Sequence, residues 1–154
     1  MFTAKKPVIY IGFDEREKNA FEVLRQSILR YNKEYDIIPL FQHSLRRAGL
    51  YRRAARLDSV DGKRIMVDEM DGRPFSTQFT FTRFLVPALN QYDGWALFMD
   101  SDMLVRSDIR ELFDEYTKNE HYAVQCVKHN YNPSKSVKMD GQIQQKYNRK
   151  NWSS

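Results

Sequence analysis

The first forty residues carry a strand–helix–strand pattern, and this pattern narrows the possible folds more than any other feature. The β-branched and aromatic run Val8–Gly12 predicts a strand that ends at a glycine. Asp14, with Glu17 three residues later, is typical of a helix N-terminus with a capping box. Residues 37–41 predict a second strand. One face of the intervening helix is apolar and carries Phe21, Leu24, Ile28 and Tyr31. The pattern predicts an α/β fold with a parallel sheet.

Length and composition predict one globular domain spanning residues 1–154. The 42% apolar and 14% aromatic content argues against disorder, and no apolar run is long enough to span a membrane. The opening segment "MFTAKKPVIYIGF" favours a first strand over a signal peptide. Cys126 is the only cysteine, which excludes an intrachain disulfide and favours a reducing, cytoplasmic location. The net charge of +5 favours an anionic partner.

The middle of the chain holds a basic segment, which a predicted strand and turn follow. Residues 43–61 hold five arginines, which indicate a solvated helical surface or a patch for an acidic partner. The segment "KRIMVDEMDGRPF" predicts a short strand and a turn at Asp71-Gly72. The arginines concerned are Arg46, Arg47, Arg52, Arg53 and Arg56.

Two further helices and a late strand are predicted downstream. Residues 76–91 carry an apolar stripe with helical spacing, and Pro87 should kink this helix or break its hydrogen bonding late in its length. Asp108 precedes a second amphipathic helix, and "HYAVQCVKH" predicts a last strand near residue 128. The stripe consists of Phe81, Phe84, Leu85, Ala88 and Leu89.

Two carboxylates follow the predicted strand at residues 95–99. Asp100 and Asp102 are separated only by Ser101, and burying two such groups without a partner is costly. Hard oxygen ligands of this kind suit Mg²⁺ or Mn²⁺. In an open α/β sheet, ligands bind at the carboxyl ends of the strands. The pair therefore predicts a metal and phosphate site, with a polar turn in which either aspartate caps backbone amides as the alternative.

The segment "ALFMDSDMLV", which follows "TRFLVPAL", together with the N-terminal "VIYIGFDE", resembles the nucleotide-sugar glycosyltransferases of the GT-A fold. The resemblance is greatest to glycosyltransferase family 8 and its bacterial and phage relatives, and it covers nearly the whole chain. It implies a Rossmann-like, mostly parallel central sheet flanked by helices. It also implies transfer of a hexose from a nucleotide diphosphate sugar, most often a UDP-sugar, to a glycan, lipid or protein acceptor.

The same resemblance implies roles for individual residues around the donor. Gly12, Phe13 and Asp14 would line the base and ribose site. Arg83 would approach the diphosphate or the donor sugar, and Ser101 would join the donor-binding set. An arginine fork suits this place because a diphosphate carries at least two negative charges.

The metal site is implied by the Asp-x-Asp motif. Asp100 and Asp102 would hold Mn²⁺ or Mg²⁺, and His129 is a further candidate ligand. The metal would stabilise the charge that grows on the leaving nucleoside diphosphate. Family members also have a late histidine ligand, for which the sequence shows no counterpart after "NWSS".

The basic tail, residues 130–154, resembles the segment that covers the donor in these enzymes. Lys128, His129 and Lys138 would help to hold phosphates, with a solvated surface charge as the alternative for each lysine. Trp152 would stack on a sugar face, with core packing as the alternative. Asp140 is the only acid in the tail and therefore its only candidate for a general base; the alternative is a turn at Asp140-Gly141.

Other functions account for fewer features of the sequence. A non-catalytic or degenerate module could bind a nucleotide sugar or glycan without transferring it. A phosphatase of the haloacid dehalogenase type also places Asp-x-Asp after a strand, but its motif opens the domain and Leu104 does not fit its pattern. No nucleic-acid partner is expected, because the basic residues lie in two segments without a recognised motif. Assembly into a homo-oligomer stays open.

Overall fold

A computed structural model describes residues 7–60, 62–116, 118 and 121–127. The chain divides into two compact units, one formed by Met1–Arg52 and Thr77–Tyr122, the other by Arg53–Ser76 and Ala123–Ser154. The described elements are β1 (Val8–Gly12), a 3₁₀ turn (Glu15–Glu17), α1 (Lys18–Tyr31), β2 (Asp36–Leu40), α2 (Gln42–Arg47), β3 (Ala55–Val60), β4 (Lys63–Asp68), β5 (Pro74–Phe75), a second 3₁₀ turn (Thr82–Leu85), α3 (Val86–Leu89), β6 (Ala96–Met99) and α4 (Arg110–Tyr116).

The first unit is built on a three-stranded parallel sheet. Its strand order is β2-β1-β6, so β1 is paired on both sides. Ile11 pairs with Pro39 on one side and with Met99 on the other. The predicted α/β class, the opening strand–helix–strand unit and the strand before the acidic pair are confirmed.

Each face of this sheet buries its own apolar cluster, because successive side chains of a strand point to opposite faces. Ile9 and Ile11 pack with three residues of the predicted apolar face of α1, with Ile109, which precedes α4, and with Phe113 in α4. The three residues of α1 are Phe21, Leu24 and Ile28, whereas Tyr31 is 42% exposed. Tyr10, on the other face, packs with residues of β2, α2 and α3. The parallel sheet is therefore flanked by helices, as predicted. The second cluster comprises Tyr10, Leu40, Leu45, Tyr51 and Val86.

The second unit contains an antiparallel sheet of order β3-β4-β5. The predicted turn at Asp71-Gly72 is confirmed, and Gly72 has a φ of +68°, which glycine adopts readily. The predicted helical surface over 43–61 is wrong beyond Arg47, where α2 ends. Arg56 lies in β3 and forms an ion pair with Asp58. Arg53 forms ion pairs with Asp68 and Asp71.

Two predicted elements differ from the structure. In place of the predicted helix over 76–91, the structure has the second 3₁₀ turn and the four residues of α3. Pro87 lies in the first turn of α3, where a backbone N–H would have no partner within the helix, so its missing N–H costs no hydrogen bond. Burial explains the difference: Phe79 and Thr82 face inward, whereas Phe84 is 74% exposed. Residues 121–127 are exposed and form no strand, so the predicted last strand is wrong there. No helix in the described part of the chain is long and apolar enough to cross a membrane.

Candidate functional site

The candidate site lies where β1 and β6 end side by side. After β1 the chain moves to β2 on one side, and it later returns to β6 on the other side. Ile11 is paired with Met99, so Gly12 and Asp100 are the next residues on adjacent strands. A reversal of strand order of this kind opens a crevice at the carboxyl ends of the strands. The structure thus brings together the two segments that the sequence analysis selected, 12–14 and 100–102.

Arg83 contacts the first carboxylate of the acidic pair. Its Nη2 lies 3.2 Å from Oδ1 of Asp100, and the two side chains are 34% and 35% exposed. The guanidinium also lies over two aromatic rings, 5.0 Å from the centroid of Phe98 and 5.6 Å from that of Phe79. These rings favour a cation and hold it in one place. The second 3₁₀ turn, rather than a long helix, places Arg83 beside Asp100. Its predicted approach to a diphosphate or donor sugar stays a prediction.

Gly12 is required by the close approach of Phe79. A Cβ atom placed on Gly12 would lie 2.6 Å from two carbons of the Phe79 ring, closer than real Cβ contacts come. Phe79 is buried, so its ring cannot simply swing into solvent. Sequence analysis missed Phe79 as a residue of the site, since its contact with Gly12 is set by the tertiary structure.

Asp14 is buried and holds the loop after β1 in place. Its Oδ1 accepts hydrogen bonds from the backbone N and the Nε of Arg16, both at 3.0 Å. Its Oδ2 accepts from Nη2 of Arg16 at 2.7 Å and from the backbone N of Gln78 at 3.0 Å. Burial raises the pKa of Asp14, but the hydrogen bonds from Arg16 and Gln78 together outweigh it and lower the pKa below its ordinary value. The carboxylate is therefore ionised at neutral pH and satisfied by protein donors.

Phe13 also faces the protein interior. Its ring packs edge-on against Phe21 and Phe41, with centroid distances of 5.4 and 4.5 Å. The side chains of Phe13 and Asp14 thus serve the scaffold of the site. Their predicted role in lining a base and ribose stays a prediction.

The acidic loop is anchored through its middle residue. Ser101 is 0% exposed, and its hydroxyl donates a hydrogen bond to Oε2 of Glu17 at 2.6 Å. Asp14 caps the 3₁₀ turn that leads into α1, and its side chain accepts from the backbone N of Arg16. Glu17 accepts from Ser101, and α1 itself has no side-chain cap, so the predicted capping box is wrong. Ser101 was predicted to bind the donor, but its hydroxyl faces inward. Asp102 is exposed and makes no hydrogen bond or ion pair with another described residue, so it caps no described amide.

Asp100 and Asp102 suit a divalent cation with few protein ligands. Mg²⁺ and similar hard cations use one or two carboxylates and take their other oxygens from water and phosphate. Within residues 7–60, 62–116, 118 and 121–127, no three His, Cys, Asp or Glu side chains come together as a metal site. An ion held by this pair would therefore need oxygen ligands from water or from a bound phosphate. Carboxylate oxygens are the kind of ligand that such an ion takes.

Five predicted site residues lie outside the described part of the chain, and their roles stay predictions. They are Lys128, His129, Lys138, Asp140 and Trp152.

The chain is similar to a curated protein of a plant. The chain is 41% identical over 152 residues to Protein CDI of Arabidopsis thaliana, an alignment that covers 97% of this chain and 52% of that protein. The chain thus spans about half the length of the curated relative it matches. No protein-family model matches the chain, and no solved structure matches it. The name of that protein specifies no chemistry.

Proposed function

We propose that the chain binds a nucleotide diphosphate sugar, most readily a UDP-sugar, together with Mn²⁺ or Mg²⁺, and transfers the sugar as a GT-A-type hexosyltransferase. The observation that carries the proposal is the meeting of Gly12, Arg83 and the acidic pair at the reversal of strand order. In open α/β sheets this is where ligands bind. The sequence resemblance supplies the substrate class.

The charges of the site match a diphosphate that arrives with a metal. Asp100 and Asp102 would hold the ion, which when bound neutralises charge on the leaving diphosphate. Arg83 adds a planar fork of donors that can bind two phosphate oxygens at once. Phe79 and Phe98 keep its guanidinium beside the acidic pair, so little conformational freedom is lost when it binds phosphate.

The described residues offer no evident general base for the acceptor hydroxyl. Asp14 cannot serve as a general base, because its carboxylate is buried and fully hydrogen-bonded. Asp140, the predicted base, lies outside the described residues. This arrangement also favours a second candidate, a module that binds the nucleotide sugar without transferring it. We expect donor binding, or slow donor hydrolysis, to be easier to detect than transfer.

Isothermal titration of UDP with and without Mn²⁺ tests the donor site. Asp102→Asn should lower UDP affinity in Mn²⁺ by about tenfold or more, a loss of about 1.4 kcal/mol. Asp114→Asn removes the same charge from an exposed position in α4 and should bind like the wild type. Binding that needs no metal and is unaffected by Asp102→Asn would contradict the metal role.

Nucleotide release from UDP-, GDP- and CMP-sugars in Mn²⁺ then separates the two candidates. Turnover with a defined acceptor supports a transferase. Tight UDP binding with no release from any sugar supports the binding module.

A further inference from the structure

A hydrogen bond joins the two loops that form the candidate site. The Ser101 hydroxyl, in the loop after β6, donates to Oε2 of Glu17, in the 3₁₀ turn after β1, at 2.6 Å. The backbone N of Glu17 donates to the carbonyl oxygen of Asp14 at 2.9 Å, so the turn is itself tied to the capping residue. A continuous set of hydrogen bonds therefore runs from the end of β1 to the acidic loop.

The bond also determines which side chains of the acidic loop reach solvent. Ser101 is fully buried, and a buried hydroxyl needs a partner. A carboxylate is a strong acceptor for it, and the short distance agrees with a charge-assisted bond. With Ser101 held inward, Asp102 is exposed and Asp100 is about one-third exposed. Asp100 and Asp102, the two candidate metal ligands, thus flank a residue that is held in place by its hydrogen bond to Glu17.

We propose that Glu17 is a positioning residue for the metal site, an inference that rests on the proposed function. Acting through Ser101, it holds the 100–102 loop so that both carboxylates meet one ion. Without this acceptor the Ser101 hydroxyl must find another partner, and the loop loses its fixed geometry. Groups that orient metal ligands in this way change metal affinity by about 10- to 100-fold when they are removed. Glu17 also carries a negative charge, so the test must separate geometry from charge.

Four single variants make that separation. Glu17→Ala removes the acceptor and the charge, whereas Glu17→Gln keeps an acceptor oxygen and removes only the charge. Ser101→Ala removes the donor and leaves Glu17 to water, which provides a second route should Glu17→Ala fold poorly. Glu22→Ala, at an exposed position of α1, removes the same charge as the matched control.

Mn²⁺ binding is measured from the electron paramagnetic resonance signal of free Mn²⁺, with and without UDP, after circular dichroism has shown that each variant is folded. We expect Glu17→Ala and Ser101→Ala to weaken Mn²⁺ binding about tenfold or more. Glu17→Gln should stay within about threefold of the wild type, and Glu22→Ala should equal it. Wild-type Mn²⁺ affinity in the folded Glu17→Ala variant would overturn the positioning role but not the proposed function. A loss of Mn²⁺ affinity in Glu17→Gln as large as that in Glu17→Ala would do the same. Absence of Mn²⁺ binding by the wild type with UDP would overturn the proposed function as well.

Discussion

Arg83 should oppose metal binding and assist nucleotide binding, so replacing it should change the two affinities in opposite directions. In the structure its Nη2 lies 3.2 Å from Oδ1 of Asp100. A metal that uses Asp100 must compete with this positive charge. We therefore expect Arg83→Gln to raise the affinity of the nucleotide-free protein for Mn²⁺. The same variant should lose affinity for UDP at saturating Mn²⁺, because a donor to the diphosphate is gone.

The size of the effect follows from the distance and the exposure. Two unit charges 3.2 Å apart attract by about 5 kcal/mol at an effective dielectric constant near 20, and by about 1 kcal/mol at that of water. Both side chains are about one-third exposed, so solvent screening places the pair near the lower value, as for measured surface pairs. Removing about 1 kcal/mol of competition corresponds to a rise of about fivefold in Mn²⁺ affinity.

Titration of Mn²⁺ into the nucleotide-free protein measures this rise directly. Arg30→Gln is the matched control, since it also removes one positive charge. Arg30 lies in the last turn of α1, which leads into the start of β2, and the start of a parallel strand is at the sheet edge opposite to the candidate site. The control should change Mn²⁺ affinity by less than about twofold, because separated surface charges are largely screened. Equal Mn²⁺ affinity in Arg83→Gln and Arg30→Gln would refute the competition at Asp100.

Two further predictions concern the scaffold of the site. Gly12→Ala should destabilise the protein by about 1–3 kcal/mol, because the new methyl group would overlap the Phe79 ring. Thermal melting should show a Tm that is lower by roughly 2–4 °C per kcal/mol lost. An unchanged Tm would contradict the close approach of Phe79 to Gly12. Asp14→Asn should cost about 1–2 kcal/mol at pH 7, since the bonds from Arg16 lose their charge assistance while that side chain is nearly half exposed. The pKa of Asp14 is lowered in the folded protein, so its contribution is complete above the unfolded pKa of about 3.9 and falls as the pH drops through the lower folded pKa. The difference in Tm between the wild type and Asp14→Asn should therefore be constant from pH 7 to about pH 5 and shrink as the pH falls below about 4. A difference that stays constant down to the lowest pH at which both proteins fold would contradict this linkage.

The parallel sheet could be predicted from sequence because its signals are local. The run Val8–Gly12 and the strand before Asp100 are recognisable from composition alone, and an α/β sheet places their carboxyl ends together. The position of the acidic pair followed from that rule. Periodicity failed over 76–91, where a regular apolar stripe counted Phe84 as buried. The chain buries Phe79 instead, because its ring packs against Gly12.

The directions of loop side chains could not be predicted from the sequence. Asp14 and Ser101 stand at the ends of strands, where ligand-binding residues are common, yet both are buried and bonded to other parts of the first unit. A loop has no period that tells which side chain faces inward. The hydrogen bond between Ser101 and Glu17 could not be predicted for the same reason, since the two residues lie 84 positions apart in the sequence.

The pairing of β1 with β6 also has a consequence for the order of folding. The β1–α1–β2 segment is continuous and can form from contacts between near neighbours in the sequence, whereas Ile11 must meet Met99 before the candidate site exists. Closing such a long loop is entropically costly, and contacts of this kind usually form late. In a refolding experiment, the hydrogen-exchange protection of α1 should therefore recover before Mn²⁺ binding does. Recovery of Mn²⁺ binding would then be a better measure of the fraction of fully folded protein than recovery of helix content.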